Sequence, residues 1–315
     1  MKLVIQIPCL NEEETLPATL ADLPRHVPGV DIVEWLIIDD GSTDRTVEVA
    51  REHGVDHVVS HRTNRGLAAA FLTGLEAALV AGADVVVNTD ADNQYDASCI
   101  PDLIAPVLCG ADMVVGERPI EQISDFSGMK KRLQRLGSWV VRKFSGTAVR
   151  DAASGFRAFS REAALRLQVF GRYTYTMETL VQAKAEGLKV TGVPVRVNPQ
   201  TRPSRLVRST TQYVRRSGQA IVRSFALYYP LRFFFVVGSV PFLIGVALLV
   251  RWLGLYLFED EYHPRIPSLV LGAVLLIVGV QIWLVGFLGD LQAASRRLLA
   301  EARARDRERG MRDAD

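Results

Sequence analysis

The sequence predicts an α/β protein with a doubly wound, mostly parallel sheet, followed by an amphipathic juxtamembrane helix and a two-helix transmembrane hairpin. Short β-branched runs alternate with helical patterns over the first 116 residues, as in parallel sheets that carry helices on both faces. Several of these runs end in polar clusters, and ligands of such sheets bind beyond the carboxyl ends of the strands. Two uncharged runs, 233–250 and 268–289, are long enough to cross a membrane.

The amino-terminal part of the chain contains the predicted elements of the sheet. Hydrophobic runs predict strands at 3–8, 33–38, 55–60, 112–116 and 189–195. Helical patterns predict helices at about 16–23, 46–53, 66–81 and 100–108, and a further helix that ends at Gly187. No Gly-x-Gly-x-x-Gly follows the first strand, so we do not expect dinucleotide binding in the usual manner.

A further buried strand begins at Val85 and leads into Asp90 and Asp92. If the extended conformation persists through Ala91, the two carboxylates face the same side of the strand. Two acidic groups held that close require a cation, and hard oxygen ligands suit Mg²⁺ or Mn²⁺. A solvated turn is the alternative interpretation, because Asp and Asn are common in turns.

Charge and cysteine content restrict the class of protein. The net charge is +2, but eight arginines and no acidic residues lie between Arg196 and Arg232. The three cysteines and five histidines have no metal-ligand spacing, which favours unpaired thiols and incidental histidines. The run Leu3–Pro8 is too short and too quickly polar for a signal peptide, so we expect the first domain in the cytoplasm, with no nucleic-acid partner.

Five short motifs in a fixed order resemble the signature of the family 2 glycosyltransferases. They are Pro8–Glu12, Asp39–Asp44, Asn64–Gly66, Asp90–Gln94 and Ser154–Arg157. Their order and spacing are most similar to those of the polyprenyl-phosphate (dolichyl- or undecaprenyl-phosphate) sugar synthases. The resemblance covers roughly Leu3 to Asn198. It implies a GT-A fold and a metal-dependent, inverting enzyme that moves one sugar from a nucleotide-sugar donor to a membrane polyprenyl phosphate.

The same resemblance implies roles for individual residues. The nucleotide sugar is expected to contact Pro8, Asn11, Glu12, Asp39, Asp40 and Asp90. Mg²⁺ or Mn²⁺ is expected at Asp90, Asp92 and Gln94, and the catalytic residues are Asp92 and Arg118. The acceptor phosphate is expected to contact Arg118, Arg132, Arg135, Ser154 and Arg157. Glu117 stands before Arg118 where the family often has Ser or Thr.

The chemistry agrees with a phosphate acceptor. A phosphate monoester is already an anion near pH 7, because its second pKa is about 6. No general base is then needed, and arginines match phosphate geometry well. Two alternatives stay open: a glycosyltransferase with a glycolipid hydroxyl acceptor, which needs a base, and a non-catalytic membrane scaffold that retains the fold. The Gln-x-x-Arg-Trp motif usual in processive synthases is absent from the sequence.

The carboxyl-terminal part predicts membrane attachment. We expect a catalytic domain at 1–200, a basic linker and amphipathic helix at 201–230, a transmembrane hairpin at 231–290 with helices at about 231–253 and 267–289, and a charged tail at 291–315. A basic stripe on the amphipathic helix indicates a membrane interface, although packing on the catalytic domain is an alternative. Arginines flank the hairpin, so the positive-inside rule predicts a multi-pass protein with catalytic domain and tail in the cytoplasm. Homo-oligomer formation is left open.

Overall fold

The computed structural model describes residues 1–119, 138–139, 142, 146–171, 175–199, 210–258 and 266–312. The chain divides into two compact units: Met1–Val222 with Glu301–Asp315, and Arg223–Ala300. The predicted acceptor residues Arg132 and Arg135 lie outside the described residues, and so does most of the linker that precedes Thr210.

The first unit is built on one seven-stranded sheet. Its strands are β1 (Lys2–Cys9), β2 (Ile32–Asp39), β3 (His57–Ser60), β4 (Val85–Asn88), β5 (Met113–Glu117), β6 (Arg157–Ser160) and β7 (Val190–Pro194). The strand order is β3-β2-β1-β4-β6-β5-β7. Only β6 runs antiparallel to its neighbours, β4 and β5, and the remaining pairs are parallel. The predicted mostly parallel sheet is confirmed, whereas β6 was not predicted.

Helices connect the strands and form the second unit. They are α1 (Leu16–Asp22), α2 (Thr46–Glu52), α3 (Leu67–Val80), α4 (Ile100–Leu108), α5 (Arg161–Arg166), α6 (Thr176–Ala185), α7 (Thr210–Tyr228), α8 (Pro230–Phe258) and α9 (Ile266–Arg312). A short 3₁₀ helix, Ala97–Cys99, precedes α4. The predicted helices of the first domain are therefore present, with ends within a few residues of those expected.

Helices cover both faces of the sheet, so β1 is buried on both sides. Leu3, Ile5 and Ile7 belong to the hydrophobic core that also contains residues of α1, α2 and α4. On the opposite face, Gln6 donates to the carbonyl of Phe71 in α3. Strands buried on both faces consist of near-continuous apolar runs, as β1 and β4 do. Only the loops at the strand ends are then available for polar ligands.

The second unit contains α8 and α9, which are long and apolar enough to cross a membrane. Glycines allow the two helices to approach closely: a Cβ at Gly238 would lie 2.8 Å from the carbonyl oxygen of Gly279, and one at Gly245 would lie 2.8 Å from that of Gly272. Small residues are typical of such contacts between membrane helices. The helix α9 continues to Arg312, so much of the predicted charged tail is helical.

Candidate active site

The first two motifs bind each other at the carboxyl edge of the sheet. The amide of Asn11 donates to Ser42 Oγ (2.9 Å), and Asn11 Oδ1 accepts from the amide of Thr43 (2.8 Å). The next amide, that of Glu12, donates to Thr46 Oγ1 (2.8 Å). Asn11 has a φ of +55°, a conformation that Asn tolerates better than most residues. These contacts join the β1–α1 and β2–α2 loops into one rim.

The second and third motifs are joined by the Asp40 carboxylate. Asp40 accepts from the amides of Arg65 (2.9 Å) and Gly66 (2.8 Å), and it is 4% exposed. His61 Nδ1 lies 2.7 Å from Asp40 Oδ1, so the ring donates there, since a carboxylate can only accept. Its Nε2 lies 3.0 Å from Thr73 Oγ1. Sequence reasoning treated His61 as incidental, although its place directly after β3 was the available signal.

The adjacent Asp39 is also used to shape its loop. Its carboxylate accepts from the amide of Ser42 at 2.8 Å, and the residue is 5% exposed. The contacts of Asp39 and Asp40 therefore position the rim on which the nucleotide contacts were predicted. Pro8 and Glu12 are half-buried on the same edge.

The fourth motif leaves the sheet earlier than expected. The strand β4 ends at Asn88, and a turn at 91–92 replaces the extended conformation that would have aligned the two carboxylates. Asn93 follows with a φ of +53°. Asp90, Asp92 and Gln94 are all half-buried, and the amide of Gln94 donates to Asp92 Oδ1 at 3.1 Å. The turn keeps the three side chains in one short loop.

Asp90 and Asp92 interact electrostatically despite the turn. Burial raises the pKa of Asp90 to about 7, and the charges of Asp92 and Glu12 add to the increase, whereas Arg118 opposes it. Two carboxylates and an amide oxygen are ligands that suit a hard divalent cation. Within the described parts of the chain, no group of three His, Cys, Asp or Glu side chains could hold a metal. A divalent cation at this loop would therefore be bound jointly by these side chains and by phosphate oxygens of a substrate.

The segment after β7 holds this loop in place. The amide of Asn198 donates to the carbonyl of Gln94 (2.8 Å), and Asn198 Nδ2 donates to that of Asn93 (3.0 Å). A β-bridge joins Tyr95 to Val197. The conformation of the candidate metal loop therefore depends on residues about 100 positions later in the chain.

Arg118 follows β5 and forms an ion pair with Asp151. Its Nε lies 2.7 Å from Asp151 Oδ2, and its Nη2 lies 3.2 Å from Oδ1. The two side chains are 8% and 1% exposed. Burial alone would lower the pKa of Arg118, but the Asp151 carboxylate, together with Tyr95 and Asp90, raises it. The Arg118 guanidinium also lies 5.9 Å from the ring centre of Tyr95, the residue after Gln94.

Arg157, which was predicted to contact the acceptor phosphate, lies beneath the crevice rather than at its surface. It is completely buried, and its guanidinium donates to the carbonyls of Ser154 (2.8 Å) and Ala152 (2.9 Å) and to Thr179 Oγ1 (2.8 Å). Burial lowers its pKa to about 10. Ser154 is also fully buried, with its hydroxyl 3.5 Å from Tyr95 Oη. Arg157 therefore holds the segment 152–154 through the carbonyls of Ala152 and Ser154.

Gly155 allows this turn to approach Asp90. A Cβ at Gly155 would lie 3.0 and 3.1 Å from the two carboxylate oxygens of Asp90. The Gly155 carbonyl accepts from Asn88 Nδ2 at 2.9 Å, and its amide donates to Tyr95 Oη at 2.9 Å. A larger residue at position 155 would therefore require Asp90 or Tyr175 to shift by a few tenths of an ångström.

A cavity of about 610 Å³ lies beside the rim, between α3 and the segment 167–171. Asn64 and Arg65 of the third motif belong to its lining. Glu178, near the start of α6, accepts from the amides of Phe170 (2.9 Å) and Gly171 (3.0 Å). Its observed role is to hold one wall of this cavity.

Comparisons with known proteins identify the family. The model of glycosyl transferase family 2 matches residues 4–167. The polyprenol monophosphomannose synthase of Mycolicibacterium smegmatis is 30% identical over 203 residues, which are 61% of this chain and 76% of that protein. The UDP-N-acetylglucosamine–dolichyl-phosphate N-acetylglucosaminyltransferase of Methanococcus voltae is 29% identical over 248 residues, which are 71% of this chain and 92% of that protein.

A solved structure shares the fold. It is glucosyl-3-phosphoglycerate synthase from Mycobacterium tuberculosis, in complex with Mn²⁺, UDP and glucosyl-3-phosphoglycerate. The TM-score is 0.53 at 21% identity, with 71% of this chain and 78% of that chain covered. The predicted GT-A fold is thus confirmed. Because the family model spans just over half of the chain, the chain belongs to glycosyl transferase family 2 and is a glycosyltransferase.

Proposed function

We propose that this glycosyltransferase is metal-dependent and inverting, and that it moves one sugar from a nucleotide-sugar donor to a membrane polyprenyl phosphate. The observation that carries the proposal is the pair Asp90 and Asp92 at the carboxyl edge of the sheet, with Arg118 acting electrostatically on Asp90. The two named relatives support it, because their names specify polyprenol or dolichyl-phosphate lipids. Their sugars differ, so the sugar used here is left unassigned.

On the donor side, the rim formed by the first three motifs receives the nucleotide. Pro8 lies near the end of β1, Asn11 and Glu12 lie in the β1–α1 loop, and Asp39 and Asp40 position the neighbouring loops. Asp90, Asp92 and Gln94 would hold Mg²⁺ or Mn²⁺ together with the donor diphosphate. When bound, the cation stabilises the negative charge that develops on the leaving diphosphate.

On the acceptor side, Arg118 attracts and orients the lipid phosphate. A phosphate oxygen attacks the anomeric carbon from the side opposite the diphosphate, and this single displacement inverts the configuration. The acceptor is already ionised near pH 7, so no protein group has to remove a proton. Arg132 and Arg135 remain predicted acceptor contacts.

The membrane arrangement also belongs to the proposal. We infer that α8 and α9 cross the bilayer as a hairpin and that the domains follow the predicted bounds 1–200, 201–230, 231–290 and 291–315. The catalytic domain and the tail then lie on the cytoplasmic side, where nucleotide sugars are made.

A panel assay tests the proposal. Purified full-length protein is supplied with UDP- and GDP-sugars and with a short polyprenyl phosphate, the matching polyprenol, or a glycolipid. We expect transfer to the phosphate only, with one donor preferred. Equal transfer to the polyprenol or the glycolipid would favour the hydroxyl-acceptor alternative. Absence of transfer and of donor hydrolysis with every donor would favour the scaffold.

A further inference from the structure

The ion pair of Arg118 and Asp151 brings together two buried side chains from distant parts of the chain. Asp151 lies in a turn a few residues before β6, whereas Arg118 directly follows β5. It contacts Arg118 through both carboxylate oxygens, in the geometry of a bidentate arginine–carboxylate pair. Both arginine atoms in the contact, Nε and Nη2, lie along one edge of the guanidinium, so its orientation is defined.

The turn that carries Asp151 is itself held at both ends. The amide of Arg150 donates to Glu117 Oε1 at 2.6 Å, which ties the turn to the end of β5. Arg157 donates to the carbonyl of Ala152, as described above, and the amide of Ala153 donates to Asp151 Oδ1 at 3.3 Å. A Cβ at Gly192 would lie 2.2 Å from the Glu117 carboxylate, so glycine at 192 leaves room for Glu117. Glu117 thus anchors the turn beside Arg118.

From this geometry we propose that Asp151 is a positioning residue that holds the Arg118 guanidinium in place for the acceptor phosphate. The inference rests on the proposed function, in which Arg118 receives that phosphate. Arginine has a long side chain with many rotamers, and a preformed contact reduces the freedom that is lost when the phosphate binds. Glu117 and Arg157 act one step further back, by holding the turn.

A different role for Asp151 makes the opposite prediction. If the carboxylate only neutralised Arg118, its removal would increase the positive charge in the crevice and strengthen binding of an anionic acceptor. If it positions Arg118, removal weakens acceptor binding although the net charge becomes more positive. The sign of the change in acceptor KM for Asp151→Asn therefore separates the two roles.

The test is a double-mutant cycle on the full-length protein with a short polyprenyl phosphate. KM for donor and acceptor and kcat are measured for wild type, Arg118→Ala, Asp151→Asn and the double variant. We expect Asp151→Asn to lower kcat/KM for the acceptor roughly tenfold to hundredfold, the range for a hydrogen bond to a charged group. Donor KM should stay near wild type. The double variant should lose no more than Arg118→Ala alone, because Asp151 acts through Arg118.

Asp56→Asn is the matched control. Asp56 directly precedes β3, at the amino end of a parallel strand and so opposite the polar rim, where it forms an ion pair with Arg25 at 2.5 Å and accepts from the amide of Trp35. This variant should lower the unfolding temperature without changing acceptor KM. Should Asp151→Asn fold poorly, Asp151→Glu keeps the charge but shifts the carboxylate, and it should raise acceptor KM as well.

The outcomes separate this inference from the function on which it rests. Wild-type kinetics for Arg118→Ala would overturn the acceptor role of Arg118 and this inference together. If Arg118→Ala is impaired but Asp151→Asn has an unchanged or lower acceptor KM, only the positioning role of Asp151 is overturned. Losses that multiply in the double variant, or equal rises in donor and acceptor KM, would show a general structural effect and contradict the inference.

Discussion

At the scale of single residues, the charges around Asp90 determine how its carboxylate affects the stability of the protein. Its pKa is raised from 3.8 to about 7, mainly by burial and by Asp92. A raised pKa stabilises the protonated folded state, so this contribution to stability is fully present below about pH 4 and is lost as the pH rises through 7. A bound cation reverses the balance, because it favours both ionised carboxylates.

This balance predicts how the stability of the metal-free protein depends on pH. Asp90→Asn should unfold at a higher temperature than wild type at pH 8, and the difference should shrink towards pH 4. The exposed residue Asp102 in α4 supplies the control variant Asp102→Asn, which should show no gain in unfolding temperature at pH 8. Thermal unfolding in EDTA between pH 4 and 8 measures the effect. Parallel curves for wild type and Asp90→Asn would contradict the assignment.

The buried ion pair makes a second residue-scale prediction, about stability. Arg118→Ala leaves the Asp151 carboxylate buried without its guanidinium, which should cost about 3–5 kcal/mol of unfolding free energy. Adding Asp151→Asn removes the charge and should recover part of that loss. Denaturant unfolding of the single and double variants measures both steps. A double variant less stable than Arg118→Ala would show that Asp151 contributes through other contacts.

At the scale of elements, the loops of the rim depend on each other. His61 and Asp40 together hold the Asn64–Gly66 loop, so His61→Ala should raise donor KM roughly tenfold. His61→Asn, which can still donate to Asp40, should recover part of the loss. His57 in β3 contacts Glu34 at 2.8 Å and serves as the control His57→Ala. Equal donor KM for His57→Ala and His61→Ala would contradict the role of His61.

The parallel part of the sheet could be predicted because its strands are β-branched runs bounded by glycine and polar turns. The strand β6 could not, since Arg-Ala-Phe-Ser is short and begins with a charged residue. Its first residue, Arg157, was predicted to contact the acceptor phosphate because the Ser154–Arg157 motif resembles one of the family. Only the fold reveals the acceptors that make its burial tolerable.

The sequence predicts which motifs lie near the site, but not which side chains contact each other within it. Motif positions follow from strand ends, which the sequence shows. The pairing of Asp40 with His61 spans 21 residues, and that of Arg118 with Asp151 spans 33. Such contacts depend on loop conformations, including the positive φ of Asn11 and Asn93, which a hydrophobic pattern does not specify.

At the scale of the whole molecule, sidedness can be tested with thiol labelling. Cys9 and Cys99 are buried and Cys109 is exposed, so Cys109 reports on the catalytic domain. In intact cells an impermeant reagent should not label wild type, whereas Tyr262→Cys, between the two predicted membrane helices in the sequence, should be labelled. After permeabilisation Cys109 should react in both. Labelling of wild type in intact cells would place the catalytic domain outside and remove it from nucleotide sugars.

The central claim, metal-dependent transfer to a lipid phosphate through Asp90, Asp92 and Gln94, is tested most directly by transfer kinetics of Asp92→Asn. The assay follows labelled sugar moving from the preferred donor to a short polyprenyl phosphate, with Asp102→Asn as the matched control. We expect Asp92→Asn to lower the rate at least about a hundredfold. EDTA should abolish wild-type transfer, and Mg²⁺ or Mn²⁺ should restore it. Full turnover of Asp92→Asn, or of wild type in excess EDTA, would contradict the account.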